Sequence, residues 1–196
     1  PSVMAFSDSP LHLTGQQWGI VFTEFLDMVE TRWSAGFADA LLDATELKSG
    51  GAYTTVGTYD FGEMVALLGE LSRRTGIAAS ELLYVFGQHF FARLTVLYPD
   101  FIAAAPDAFS LLAGIEDVIH TEVRKLYPDA ELPAFEIACH TPERLELLYQ
   151  SPRCLSRLAH GLIDGALQHY GEQAAVRLEP LEPSGQRVRI VLERSA

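Results

Sequence analysis

The chain has 196 residues, 48% of them hydrophobic and 20% charged, a composition typical of one globular domain with a sizeable buried core. Its net charge of −12, from 26 acidic and 14 basic side chains, argues against binding to nucleic acid or to an anionic membrane surface. Its two cysteines are too few for a disulfide scaffold, and neither a bilayer-length apolar run nor the basic start of a signal peptide is present, so we expect a cytoplasmic protein without membrane insertion.

Helices are predicted soon after the N-terminus. Residues 1–17 mix Ser, Asp, Pro and Gly with few apolar side chains, and we interpret them as an N-terminal extension or a tag remnant, since the chain starts at Pro1. From Gly19 to about Val29, apolar side chains recur every three or four residues, which predicts an amphipathic helix. A second, shorter helix is predicted over Ser34–Leu42.

Two further helices are indicated by their start and stop signals. Asp60 followed by Glu63 resembles a capping box and predicts a helix to about Arg74. Ser80 is the predicted cap of the next helix, which ends before Pro99. This helix is apolar almost all round, so we expect it at the centre of the core.

A long helix is predicted from Asp107 to Tyr127, with Pro128 ending it. On a helical wheel of about 100° per residue, His120 falls at the shoulder of the apolar stripe. A histidine at this place faces the rim of a cavity rather than open water. The alternative is a half-buried histidine with a satisfied hydrogen bond and no ligand role.

After Pro133 the hydrophobic period changes from that of a helix to that of a strand. The pattern predicts a fold with a helix at 154–170 and strands at 134–140, 143–151, 175–181 and 187–193. The fold class is therefore α+β, a helical lobe (18–132) followed by a lobe with a four-stranded antiparallel sheet and a packed helix (133–196). The two lobes form a single domain over 18–196.

A row of polar side chains closes the second predicted strand. Alternate residues of an extended segment share a face, so Tyr149, Ser151 and Arg153 lie together. Pro152 favours extended geometry at the residue before it. A guanidinium fork with two hydroxyls suits a carboxylate or a phosphate. The alternative is a polar strand end with a solvated arginine.

Other chemistries find less support. The spacing matches no usual zinc pattern for Cys139, His140, Cys154, His160 and His169. No glycine-rich phosphate loop or Cys–His nucleophilic pair stands out. A planar apolar cofactor with carboxylate arms would use His120, the polar row and the apolar interior together, and haem has that shape.

Three segments carry a family resemblance. The segment His120–Pro128, the Tyr-x-Ser-x-Arg row after it and the opening Gly19–Phe25 resemble the haem nitric oxide/oxygen-binding (H-NOX) family. The likeness extends from about Trp18 to the C-terminus.

The resemblance implies a haem b (iron protoporphyrin IX) site with named parts. His120 would be the proximal iron ligand, and Tyr149, Ser151 and Arg153 would hold the propionates. Pro133 matches the proline that presses on the porphyrin and distorts it. The positions that match the pocket lining are Val21, Phe25 and Leu94.

The sequence departs from the family's oxygen-binding members at one informative position. Those members carry a distal tyrosine five residues after the arginine of the motif, where this chain has Leu158, which donates no hydrogen bond. The resemblance then implies that ferrous haem keeps NO and CO and holds oxygen poorly. Another distal donor, such as Tyr84, is left open. The cysteines that bind zinc in some members have no counterpart between Ala174 and Arg187.

The expected function is a stand-alone, NO-selective haem sensor rather than an enzyme. By resemblance, NO breaks the iron–His120 bond, the porphyrin relaxes against Pro133 and the lobes shift, a change read out by a separate partner. A histidine kinase or a cyclic-di-GMP enzyme would be the usual partner. The alternatives are an oxygen sensor or carrier, an enzyme such as a haem peroxidase or a hydrolase, and a haem-free interaction module. The absence of a distal His or Arg beside Leu158 argues against the peroxidase.

Overall fold

The computed structural model describes residues 16–126, Pro128 and 131–195. Over these residues the chain forms helices first and an antiparallel sheet afterwards, which confirms the predicted α+β class. In this described part no helix combines the length and the apolar character needed to cross a membrane.

The predicted helices and strands occur in the predicted order, and short elements that were not predicted lie between them. In the first part they are β1 (Gln16–Trp18), α1 (Gly19–Arg32), α2 (Ala35–Ala44), β2 (Thr58–Asp60), α3 (Phe61–Thr75), α4 (Ala79–Leu97), α5 (Pro99–Ala104), α6 (Ala108–Ala113), a π-helical turn (Ile115–His120) and α7 (Thr121–Leu126). In the second part they are β3 (Ala134–His140), β4 (Arg144–Gln150), α8 (Ser156–His169), β5 (Ala175–Pro180) and β6 (Arg187–Glu193).

Local side-chain hydrogen bonds fix several helix ends. Ser34 Oγ accepts the Phe37 N–H at 3.0 Å at the start of α2, and Asp60 Oδ1 accepts the Gly62 N–H at 2.8 Å at the start of α3. These bonds satisfy amides that have no partner inside the first turn. Gly76 ends α3 at φ 71°, a left-handed conformation that favours glycine.

Two predicted caps are wrong in detail. Ser80 is not a cap, because α4 begins one residue earlier at Ala79 and its first turn has no side-chain cap. Glu63 does not reach back to complete a capping box. Its carboxylate instead accepts the hydroxyl of Ser49 at 2.6 Å, a tertiary contact that the local pattern does not reveal.

The N-terminal pairing of strands was not predicted. β1 pairs antiparallel with β2, and the Gly19 N–H donates to the Gly57 carbonyl at 2.7 Å just after it. Two residues of the segment predicted as an extension, Gln16 and Gln17, therefore lie in a strand. The remainder of that segment lies outside the described residues.

The predicted helix from Asp107 is interrupted. Asp107 caps its start by accepting the Ser110 N–H at 2.7 Å, but α6 ends at Gly114 and a π-helical turn follows. Glycine is unfavourable inside a helix, and the Ile119 N–H donates five residues back to the Gly114 carbonyl at 3.4 Å. The predicted end at Tyr127 lies outside the described residues.

The four-stranded sheet has the order β3-β4-β6-β5, with every neighbouring pair antiparallel. Leu147 of the central strand β4 lies opposite Ile137 on one side and Ile190 on the other. The register of β3 against β4 shifts between Ile137 and Cys139. Leu147 and Ile190 are fully buried, so this face of the sheet packs on a core shared with α6 and α8.

The helical lobe has a second core, and α4 and α8 cross where the two lobes meet. Gly87 of α4 and Gly161 of α8 face each other at this crossing. A Cβ atom added to Gly161 would lie 2.1 Å from the carbonyl oxygen of Tyr84, and one added to Gly87 would lie 2.3 Å from that of Leu158. The two helices therefore touch backbone to backbone, and glycine is required at both positions.

Candidate functional site

A cavity of about 590 Å³ lies between the two hydrophobic cores. Its wall is mostly apolar, with a small number of polar side chains, as is typical of cofactor sites. The structure brings every side chain predicted for the site to this wall: Val21, Phe25, Leu94, His120, Pro133, Tyr149, Ser151, Arg153 and Leu158. Their roles toward a cofactor stay predictions.

His120 is the last residue of the π-helical turn and is buried at the cavity wall. Its Nδ1 lies 2.9 Å from Oε1 of Glu116, which also accepts the Phe135 N–H at 2.8 Å. An ionised carboxylate only accepts hydrogen bonds, so we assign the imidazole proton to Nδ1. Burial lowers the pKa of His120, and the hydrogen bond to Glu116 opposes this shift. The neutral ring thus keeps the Nε2 lone pair for a metal ion.

The sequence analysis missed Glu116. A signal was present, because residues four apart lie on the same side of a helix. The carboxylate joins the His120 ring to the start of β3, so it orients the imidazole from the side away from Nε2.

Tyr149 and Ser151 form a small network of hydrogen bonds at the cavity wall. The Tyr149 hydroxyl accepts the Leu155 N–H at 2.8 Å, and Ser151 Oγ accepts the Arg153 N–H at 3.1 Å. The Tyr149 oxygen also accepts a hydrogen bond from the Ser151 side chain, which leaves the hydrogen of the phenol to donate to an anion. Burial raises the pKa of Tyr149 to about 12, so the phenol keeps its proton.

Arg153 is buried, although a charged side chain is rarely found inside a protein. Its guanidinium lies 4.4 Å from the centre of the Phe61 ring, and Nη2 donates to Glu131 Oε2 at 3.2 Å. Burial lowers the pKa of Arg153, which the charge of Glu131 opposes. Together with the hydroxyls of Tyr149 and Ser151 it places a polar group of side chains that suits a carboxylate on the cavity wall.

A strained turn leads from this row into α8. Cys154 has φ 54°, a left-handed conformation unusual for a residue with a side chain. The turn directs the Leu155 N–H to Tyr149, and Cys154 Sγ lies 3.3 Å from the Ser184 carbonyl. Burial raises the pKa of the Cys154 thiol, so it is no activated nucleophile.

Leu158, near the start of α8, belongs to the apolar lining of the cavity. Tyr84, the alternative donor, is not among the described residues that line the cavity. Its hydroxyl donates to Asp164 and accepts from Gln88 Nε2 at 3.3 Å. A phenol that the sequence analysis did not consider, Tyr98 at the end of α4, does line the cavity.

These groups fit haem. The cavity offers an apolar wall for the porphyrin, a neutral imidazole for iron and a buried set of donors for carboxylates. The fold and the cavity therefore place the chain in a class of haem-binding proteins in which a helical lobe and a sheet lobe enclose the cofactor.

Comparison with known proteins gives the family. A model of the haem-NO-binding family matches residues 18–178, and the chain belongs to this H-NOX family of haem-based gas sensors. No curated protein matches the chain.

Several solved H-NOX structures are similar to this one. The unliganded Fe(II) H-NOX protein from K. algicida is 38% identical with a TM-score of 0.87, over 92% of this chain and 97% of its own. The IWP-051-bound H-NOX from Shewanella woodyi in the Fe(II)CO state is 34% identical with a TM-score of 0.79, over 91% and 95%. The S. oneidensis protein in the Fe(II)NO state is 27% identical with a TM-score of 0.81, over 92% and 100%.

If His120 binds the iron of haem, as the family resemblance implies, replacing Glu116 with glutamine should weaken haem binding. A neutral amide accepts the Nδ1–H of His120 more weakly than a carboxylate, so Nε2 becomes a poorer ligand, and loss of such an outer partner typically lowers metal affinity about 10–100-fold. Haem titration of the variant measures this change. Asp117→Asn is the matched control, because Asp117 lies in the same π-helical turn but is exposed. Equal affinities for the two variants would contradict the role given to Glu116.

Proposed function

We propose that this protein is a haem b sensor selective for NO over oxygen, which binds NO and CO and signals to a separate partner. His120 binds the iron through Nε2, and Tyr149, Ser151 and Arg153 bind the propionates. The observation that carries the proposal is their placement on one apolar cavity, with Glu116 fixing the His120 ring. When bound, haem supplies a ferrous iron that binds diatomic gases.

The remaining wall residues are proposed to shape the haem slot. Val21, Phe25 and Leu94 supply apolar contacts, and Pro133 presses on the porphyrin from the loop before β3. We take 18–196 as the haem domain and the residues before it as an extension.

The selectivity for NO rests on a missing donor. Leu158 lines the cavity where a distal tyrosine would donate to bound oxygen, and such a bond contributes about 1.5–3 kcal/mol, or roughly 10–100-fold in affinity. Tyr84 does not replace it, because its hydroxyl is turned to Asp164. NO needs no such donor, because the iron–NO bond is strong by itself.

Oxygen sensing or transport is the second candidate function. One observation favours it: Tyr98 lines the same cavity and brings a phenol to an otherwise apolar wall. If that hydroxyl donated to bound oxygen, Tyr98→Phe would lower the oxygen affinity. The NO-selective proposal instead expects no change.

The signal is proposed to travel from His120 to the sheet. One oxygen of Glu116 bonds both the His120 ring and the backbone of Phe135 in β3, so a displacement of the ring reaches the sheet lobe. The readout is then a shift between lobes rather than catalysis. We propose a cytoplasmic histidine kinase or cyclic-di-GMP enzyme as the partner, with a basic face that suits the net charge of −12.

Absorption spectra of the reduced protein test the proposal. We expect a Soret band that shifts on adding CO, a spectrum of five-coordinate iron on adding NO, because His120 is released, and no lasting change in air before oxidation. A six-coordinate product with NO would contradict the release of His120. A stable new spectrum in air would favour the oxygen alternative, and no Soret band after adding haem would refute the proposal.

A further inference from the structure

We propose that Glu131 competes with a haem carboxylate for Arg153 and so opposes haem binding until it is displaced. The inference rests on the proposed function, since it assigns Arg153 to a propionate. It concerns a residue that neither the sequence pattern nor the family match assigns.

The two members of the Glu131–Arg153 ion pair differ in their exposure to solvent. Glu131 Oε2 lies 3.2 Å from Arg153 Nη2, but the Arg153 side chain is 6% exposed and that of Glu131 is 54% exposed. Leaving a buried guanidinium without an anion is costly, whereas an exposed carboxylate returns to water at little cost. Arg153 is therefore the fixed member of the pair, and Glu131 is the member that can be exchanged.

Glu131 lies on the same cavity as the groups that are proposed to bind a propionate. It lines the cavity beside Pro133, and Arg153, Ser151 and Tyr149 line the same cavity. Two carboxylates at one guanidinium repel each other, because like charges at close range disfavour the charged state of both. A propionate that binds Arg153 through its fork thus displaces Glu131 rather than joining it.

The exchange would also affect the connection between the lobes. Glu131 and Pro133 belong to the segment between α7, which follows His120, and β3. While Glu131 holds Arg153, this segment is tied to the sheet lobe. When a propionate takes Arg153, the tie is released, so seating of haem and the position of Pro133 become linked.

If the ion pair of Glu131 and Arg153 had only a structural role, removing it would change haem affinity in the opposite direction. If Glu131 only stabilises the position of Arg153 at the cavity wall, its removal makes the site less ordered and lowers haem affinity. If Glu131 competes, its removal weakens the haem-free protein but raises haem affinity. The sign of the change therefore separates the two roles.

Titration of the haem-free protein with hemin tests this. We expect Glu131→Gln to bind hemin about 1.4- to fivefold more tightly, the range set by one exposed ion pair. Without hemin, the same variant should unfold at a temperature lower by about 2–4 °C. Glu136→Gln is the charge-matched control, because Glu136 is exposed on β3, and it should leave both quantities unchanged.

The hemin titrations can contradict the proposed competition in two ways. Equal or weaker hemin binding by Glu131→Gln, or an equal gain in Glu136→Gln, would overturn the competition while haem binding by the wild type leaves the proposed function intact. If the wild type takes up no hemin, both proposals fail. Glu131→Ala provides a second variant with the same expected sign, and the unfolding curves show whether each variant is folded.

Discussion

Replacing His120 with glycine should lower haem affinity by more than about a hundredfold, since loss of an outer partner of such a ligand alone costs 10–100-fold. The substitution removes the buried imidazole and leaves a space of its shape at the cavity wall. Free imidazole should fill this space and restore the Soret band. The measurement is Soret absorbance per protein after haem titration, with and without imidazole.

The matched control for this experiment is His140→Gly. His140 is exposed at the end of β3 and does not line the cavity within the described part of the chain. Its replacement should leave haem uptake unchanged. Haem uptake by His120→Gly that equals the wild type, with no response to imidazole, would show that another group holds the iron.

Replacing Leu158 with tyrosine should create stable oxygen binding. Leu158 lines the cavity and has no donor group, so a phenol in its place adds one hydrogen bond to bound oxygen. We expect oxygen affinity to rise about 10–100-fold, which corresponds to about 1.5–3 kcal/mol. Oxygen titration of the reduced protein by absorbance measures this gain.

Leu158→Phe separates the hydroxyl from the bulk of the ring. It adds nearly the same volume as tyrosine without a donor, so its oxygen affinity should stay near that of the wild type. CO affinity should change similarly in both variants, because CO depends little on a hydrogen bond. An equal gain of oxygen affinity in both variants would refute the hydrogen-bond explanation.

Elements with a strong local signal were predictable from the sequence. The bounds of β3 and β6 agree with prediction, because their alternation and flanking turns are clear, and Asp60 marks the start of α3 as expected. The strand β1 was not predicted, since three residues carry no period and its partner is distant in sequence. The π-helical turn before His120 was also missed, because the apolar stripe runs through Gly114 without a break.

The site was predictable where side-chain type alone indicates chemistry. The imidazole of His120 and the row ending at Arg153 were found this way, and the structure places them on one cavity. The orientation of His120 was not predictable, because it depends on Glu116 and on the backbone of β3. The contact of Glu131 with Arg153 depends on how the segment before β3 folds back, which no local pattern encodes.

The glycine crossing of α4 and α8 sets how closely the two lobes approach each other. Gly87 and Gly161 bring the two backbones into direct contact, so any separation there would open a void and any sliding would drive backbone against backbone. A side chain larger than hydrogen at either position should therefore push the two helices apart, and with them the cores of the two lobes.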